Sequence, residues 1–166
     1  VGLDDLVNIQ YTSGTTGFPK GCMIPQRFWL HMARVAAFVT RQRFKRILVA
    51  QFFFYMDPMF LLPLAFFQGG AVYFCSGPSN AKFMEWVRKY EIELCLIFEP
   101  VYKQPPHPDD AKTKLKNAFI FGFTKENHAD LERRFNVTAR EFYGMTENGG
   151  CLYMPPEDTH MIGSGS

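Results

Sequence analysis

The stretch Tyr-Thr-Ser-Gly-Thr-Thr-Gly-Phe-Pro-Lys-Gly at residues 11 to 21 has the chemistry of a phosphate cradle. Gly14, Gly17 and Gly21 let the backbone turn tightly and bring its N–H groups close to an anion. The hydroxyls of Thr12, Ser13, Thr15 and Thr16 add neutral donors. Lys20 adds a mobile point charge that can follow a leaving phosphate. Pro19 stiffens the loop just before that lysine, and the apolar run from Leu6 to Ile9 leads into it. The spacing differs from the Walker P-loop, which puts four residues between its glycines and ends in Gly-Lys-Ser/Thr. Taken alone, such a cluster also reads as a polar surface turn with a solvated lysine.

A second set of chemically useful residues stands at 141 to 147, Glu-Phe-Tyr-Gly-Met-Thr-Glu. Tyr143 offers a flat face on which a nucleobase can stack. Gly144 removes a side chain where a ligand would approach. Thr146 supplies a hydroxyl near phosphate, and Glu147 is a hard oxygen ligand suited to magnesium. On their own these residues also fit a Tyr-Gly turn followed by a surface acid.

Together, in this order, the two motifs closely resemble the signature loop and the Tyr-Gly-x-Thr-Glu motif of the adenylate-forming superfamily. That superfamily contains acyl-CoA synthetases, aryl-acid ligases, luciferases and peptide-synthetase adenylation domains. The resemblance spans nearly the whole chain. It implies ATP-dependent activation of a carboxylic acid to an acyl-adenylate with release of pyrophosphate, then thioester formation with coenzyme A. The substrates implied are a small carboxylic acid, ATP and coenzyme A, with Mg2+ as the metal. By resemblance, Thr12, Ser13, Gly14, Thr15, Thr16, Gly17 and Lys20 hold the β- and γ-phosphates. Gly122, Tyr143 and Gly144 border adenine, and Glu147 helps hold magnesium. Lys20, Thr146 and Glu147 are then the catalytic group. The physical task is to bring a carboxylate to a polyanion. Two unit charges 4 Å apart at an effective dielectric near 20 repel by roughly 4 kcal/mol, which cations and oriented donors must offset.

Between the motifs, Phe-Phe-Phe-Tyr-Met-Asp-Pro at 52 to 58 falls where many relatives carry a Phe-His pair beside the acid. Phe54 and Tyr55 are therefore expected at the acyl pocket, Tyr55 standing in for the histidine. This stretch is similar to acid–CoA ligases of the crotonobetaine and carnitine type. The plainer reading makes Tyr55 a residue at a helix entry and Asp57 the cap of that helix. Pro25-Gln26 and Asn148 also depart from the usual pattern. The aromatic residues 52 to 54 fit a fatty, aryl or small betaine acid equally. Superfamily members continue past this point with a ribose-binding aspartate, a hinge and a small lid domain. The chain is accordingly expected to be an internal part of the large N-terminal domain, residues 1–166, inactive alone. Two alternatives stay open: a nucleotide-binding module without catalysis, and adenylation with a carrier-protein thiol or oxygen as acceptor.

Composition agrees with one soluble globular unit: 166 residues, 47% apolar and 20% charged. The 18 phenylalanines predict a strongly aromatic core. A net charge of +2 argues against nucleic acid or an anionic membrane as partner, and the basic cluster Arg41, Arg43, Lys45, Arg46 reads as a solvated loop. Cys22, Cys75, Cys95 and Cys151 lack zinc spacing and suggest a reducing, cytoplasmic compartment. The four histidines, His31, His107, His128 and His160, share no metal-ligand spacing. The apolar run from Phe52 to Phe67 is broken by Asp57, Pro58 and Pro63 and is too short for a membrane span; it reads as a buried helix.

Periodicity supplies the scaffold. Strands are expected at Leu6 to Tyr11, Gly21 to Ile24, Ile47 to Gln51, Ala71 to Cys75, Leu94 to Phe98, Ala118 to Phe121 and Thr138 to Phe142. Helices are expected from Pro25 to Thr40, Pro58 to Gln68, Asn80 to Tyr90 and, capped by Thr124, to Phe135. The first helix should turn Phe28, Met32, Val35 and Val39 inward, the third Phe83, Trp86, Val87 and Tyr90. Strand–helix alternation from 47 to 142 predicts an α/β fold with a mostly parallel sheet flanked by helices. Ligands of such sheets sit at the carboxyl ends of the strands, so both motifs are expected on that edge.

Overall fold

The computed structural model describes residues 1–12, 17–155 and 157, and of Cys151 the backbone alone. Two strands, β1 (Leu6–Tyr11) and β2 (Gly21–Pro25), form an antiparallel hairpin separate from the main sheet. Helix α1 (Gln26–Thr40) follows, and then β3 (Arg46–Val49), α2 (Met56–Gln68), β4 (Ala71–Phe74), α3 (Asn80–Lys89) and β5 (Leu94–Leu96). A short α4 (Glu99–Tyr102) leads to β6 (Asn117–Ile120), α5 (Lys125–Phe135), β7 (Thr138–Met145) and β8 (Gly149–Tyr153). The six-stranded sheet runs β4-β3-β5-β6-β7-β8, parallel throughout except for the final antiparallel pair. The α/β expectation holds: a mostly parallel sheet with helices on both faces.

Alternation along the central strands divides the core in two. Ile47, Leu94, Leu96 and Phe119 face α1 and α2, packing with Trp29, Met32, Phe60 and Leu64. Leu48, Cys95, Ala118 and Ile120 face the other way, toward Phe83 and Val87 of α3 and Leu131 and Phe135 of α5. Strands buried on both faces read as continuous apolar runs, and β5 and β6 do so. Local chemistry sets the helix ends. Ser79 Oγ accepts from Lys82 N–H at the start of α3, and Thr124 Oγ1 from Asn127 N–H at the start of α5. Gly69, at φ 68, closes α2 with its N–H on the last-turn carbonyls.

Several expectations need correction. The glycine loop does not end a strand of the parallel sheet; it connects the two strands of the separate hairpin. The strand through Tyr143 runs on to Met145 and folds back as β8, which alternation alone did not predict. Helix α1 buries Trp29, Met32, Ala33, Ala36 and Thr40 rather than the Phe28, Val35, Val39 stripe, because small Ala33 and Ala36 face α2 and let it approach. Tyr90 is exposed at the end of α3. Residues 52 to 55 precede α2 instead of belonging to it, and Phe66 and Phe67 are exposed, so the run is not one buried helix. The aromatic core is real at Phe44, Phe60, Phe83, Phe119, Phe123 and Phe135, yet Phe18, Phe38 and Phe74 are also exposed. His128 of α5 is buried, its Nε2 2.8 Å from the Ala139 carbonyl oxygen. Among the described residues no helix is long and apolar enough to cross a membrane.

Candidate active site

Two hairpins carry the two motifs. In the first, Thr12 N–H donates to the Lys20 carbonyl at 2.9 Å, so the glycine loop is pinched at its base. Gly17, Phe18, Pro19 and Lys20 are exposed, and Lys20 has no ion-pair partner among the described residues. Ser13, Gly14, Thr15 and Thr16 lie outside the described residues. The hairpin is tied to α1 by Trp29 Nε1, which donates to Asn8 Oδ1 at 2.9 Å, and by Gln26 N–H on the Asp5 carbonyl at 3.0 Å.

The second hairpin is built into the sheet edge. Thr146, Glu147 and Asn148 form the turn between β7 and β8, closed by Asn148 N–H on the Met145 carbonyl at 3.2 Å. Glu147 is exposed and its carboxylate unpaired among the described residues. Gly144 must be glycine for a local reason that differs from the one its motif suggested. A Cβ there would stand 2.5 Å from the Gly149 carbonyl oxygen across the hairpin. Gly149, at φ 74, returns the chain into β8, where Met32 and Phe28 of α1 press against it. Helix α1 thus touches both hairpins, one through Trp29 and the other through Met32.

Beside the second hairpin, at the carboxyl ends of β6 and β7, is a cavity of about 420 Å³. Gly122, Tyr143 and Gly144 line it together. Gly122 has φ 74 and open space where a Cβ would be, so the backbone after β6 leaves room for a flat ligand. Tyr143 is half exposed. Phe60 of α2, Phe121 and Phe142 supply aromatic wall, and Phe142 stacks on Tyr153 with ring centroids 5.8 Å apart. Lys20, Thr146 and Glu147 do not line this cavity.

Phe54 and Tyr55 do not line it either. They form an exposed aromatic cluster before α2, with ring centroids 4.6 Å apart. The next two residues, Met56 and Asp57, reach the cavity instead. Asp57 is not the cap of α2: Tyr55 holds that position and makes no side-chain capping bond. Burial pushes the Asp57 carboxyl up from its ordinary 3.8 to about 6. Glu141 is a second acid of the cavity wall, itself buried. Its place two residues before the Tyr-Gly-x-Thr-Glu motif was visible in the sequence, but its burial was not.

A magnesium ion usually takes one or two carboxylates and completes its shell with water and phosphate oxygens. No group of three or more His, Cys, Asp or Glu among the described residues forms a ready metal site. The exposed, unpaired Glu147 at the β7–β8 turn fits the role of a single protein ligand whose other partners arrive with a nucleotide.

Comparison with known proteins bears on the fold and the family. The chain is 28% identical over 151 residues to a crotonobetaine/carnitine–CoA ligase of Shigella dysenteriae, covering 87% of this chain and 29% of that protein. It is 27% identical to the like-named enzyme of Proteus mirabilis, covering 89% and 30%. The chain therefore spans about three tenths of the length of these relatives. Among solved structures, the inhibitor-bound N-terminal domain of FACL13 from Mycobacterium tuberculosis superposes with a TM-score of 0.80 at 20% identity, over 95% of this chain and 42% of that one. The O-succinylbenzoate coenzyme A synthetase of Bacillus subtilis in complex with AMP gives 0.77 at 20% identity, over 98% and 43%. These likenesses establish the fold. Residues 1–165 match the AMP-binding enzyme family, and the chain belongs to it.

Proposed function

We propose that the protein containing this chain activates a carboxylic acid with ATP and transfers the acyl group to coenzyme A. The observation that carries the reading is the cavity that gathers Gly122, Tyr143 and Gly144 at the ends of β6 and β7. Those residues suit adenine: an aromatic face to stack on and backbone without side chains beside it. An acid oxygen attacks the α-phosphorus, the bond to the β-phosphate oxygen breaks, and pyrophosphate departs. Lys20 and the glycine-loop donors then neutralise charge on the departing phosphates, with Thr146 near the α-phosphate. Magnesium held through Glu147 would neutralise phosphate charge. A thiol of coenzyme A next displaces AMP from the acyl-adenylate. The curated relatives' names support acid–CoA ligation as the overall reaction; the identity of the acid is not carried over from them. Cytoplasmic placement suits the free thiols of Cys22, Cys75 and Cys95.

The test is acid-dependent exchange of pyrophosphate into ATP by the full-length protein, with Tyr143→Ala and Lys20→Ala beside it. Exchange that needs an acid and falls in both variants is the expected result. ATP binding without exchange for any fatty, aryl or betaine acid would overturn the ligase reading in favour of a binding module. Exchange without thioester formation would instead move the acceptor away from coenzyme A.

A further inference from the structure

The two motif hairpins belong to different sheets, yet in the reading above one nucleotide must reach both. Its base lies at Tyr143 and its outer phosphates at Lys20, and the ribose and α-phosphate between them have a fixed reach. The separation of the hairpins therefore has to be set by something stiff, and α1 touches both. Its backbone bonds go to the lead-in of the first hairpin: Gln26 N–H to the Asp5 carbonyl and Arg27 N–H to the Leu3 carbonyl, both ahead of β1. The hydrogen bond from α1 to β1 itself is a side-chain one, Trp29 Nε1–H to Asn8 Oδ1 at 2.9 Å.

Asparagine is a poor strand former, so its place in the middle of β1 asks for a reason. The pairing supplies one. Leu6 faces Pro25 and Asn8 faces Ile24, which leaves Val7 as one extra residue just before Asn8. Such a bulge re-aims the side chain beside it. Asn8 is half-buried, whereas Val7 and Ile9 on either side are exposed. Trp29 is 4% exposed, and a buried indole N–H without an acceptor is costly. From Asn8 the register runs unbroken to Tyr11 opposite Gly21, and the bond from Thr12 N–H to the Lys20 carbonyl then closes the base of the loop. The placement of Asn8 is thus carried along about 13 Å of strand to the loop.

The same line of contact continues to the second hairpin. Phe28 meets Trp29 edge-on, with ring centroids 5.0 Å apart. Phe28 and Met32 both pack on Gly149, where an added Cβ would stand 3.1 Å from Phe28 Cζ and 3.0 Å from Met32 Sδ. Asn8, Trp29, Phe28 and Gly149 therefore link the two hairpins through packed side chains.

We propose that Asn8 is a positioning residue: through the Trp29 indole it sets where the glycine loop meets the phosphates of a nucleotide whose base is held beside Tyr143. It acts through the helix and the strand, not by contact with the nucleotide. The inference rests on the acid-activation reading above and adds to it the part that aligns the two halves of the site.

The test measures acid-dependent pyrophosphate exchange by the full-length protein, together with its affinities for ATP and for AMP. AMP carries only the base, ribose and α-phosphate, so its affinity reads the Tyr143 side, and the ratio of ATP to AMP affinity reads the loop. Asn8→Ala should lower kcat for exchange about tenfold and reduce that ratio, with AMP affinity unchanged. Asn8→Asp, which keeps an acceptor for the indole, should recover most of both losses. Asp4→Ala, which breaks an exposed ion pair with Arg27 at the same joint, should alter neither. Three results would overturn the inference: exchange and affinity ratio unchanged in Asn8→Ala, AMP affinity falling in step with ATP affinity, or no recovery in Asn8→Asp. Absence of exchange by the wild type with any fatty, aryl or betaine acid would sink the ligase reading alone, because the affinity ratio still reads the alignment.

Discussion

The two hairpins that carry the sequence motifs are held in opposite ways. The β1–β2 hairpin stands outside the main sheet, with Leu6, Val7, Ile9 and Met23 exposed and only Gln10 and Ile24 well buried. It is tied to α1 by a few hydrogen bonds. The β7–β8 hairpin continues the sheet: Ala139 and Arg140 are buried, Phe142 packs among Phe60, Phe119 and Tyr153, and α1 presses on Gly149. In the proposed function the first loop would follow moving phosphates and gain from a tether, and the second would be a platform for a flat base and gain from rigidity. Change in the first hairpin should therefore appear in chemistry, and change in the second in stability as well.

Lys20→Ala tests the first half of that contrast most severely. It should lower pyrophosphate exchange by the full-length protein about a hundredfold, roughly 3 kcal/mol of transition-state stabilisation. Its melting temperature should stay within the range of ordinary surface substitutions. A comparable loss of stability would mean that the loop is part of the fold. Gly144→Ala tests the second half. Its methyl group would meet the Gly149 carbonyl, so the hairpin must open, at a cost of about 3 kcal/mol in urea unfolding. The matching change in the loop, Gly17→Ala, meets nothing within 4 Å and should leave unfolding nearly unchanged.

Asp57 lies in the cavity wall but belongs to neither hairpin. Its carboxyl is raised from 3.8 to about 6 in the folded state, so folding takes up a proton between those values. The stability it contributes is full below about pH 4 and is lost as pH rises through 6. Asp57→Asn should stabilise the protein at pH 7 by up to about 3 kcal/mol. The gain should disappear by pH 3, as read from denaturant unfolding across that range. A gain independent of pH would show that the carboxyl is solvated. The smallest effect is expected at the tether: Asn8→Ala, which removes the acceptor of the Trp29 indole N–H and leaves the core side chain in place, should cost about 1 kcal/mol. It should also raise amide exchange in β1 and β2 while leaving β7 and β8 protected.

Much of the scaffold was legible because its signals are local. Thr124 as a cap, Gly69 after α2 and the apolar runs of β5 and β6 each depend on neighbours a few residues away. What could not be read depended on partners far along the chain. The buried stripe of α1 is rotated because α2, thirty residues on by sequence, meets Ala33 and Ala36. The acid wall of the cavity joins Asp57 at the start of α2 to Glu141 in β7, and no spacing in the sequence predicts that meeting.

By itself, the sequence determined the α/β alternation, the two motif loops and the kind of ligand chemistry their residue types allow. Those depend on backbone propensity and side-chain functional groups, which each short segment carries with it. Tertiary structure alone decided that the glycine loop rides on a separate hairpin, that β8 folds back against β7, and that Met56 and Asp57, rather than Phe54 and Tyr55, reach the cavity. Strand order, helix rotation and cavity walls follow from which apolar faces bury one another, a choice that the whole chain makes at once.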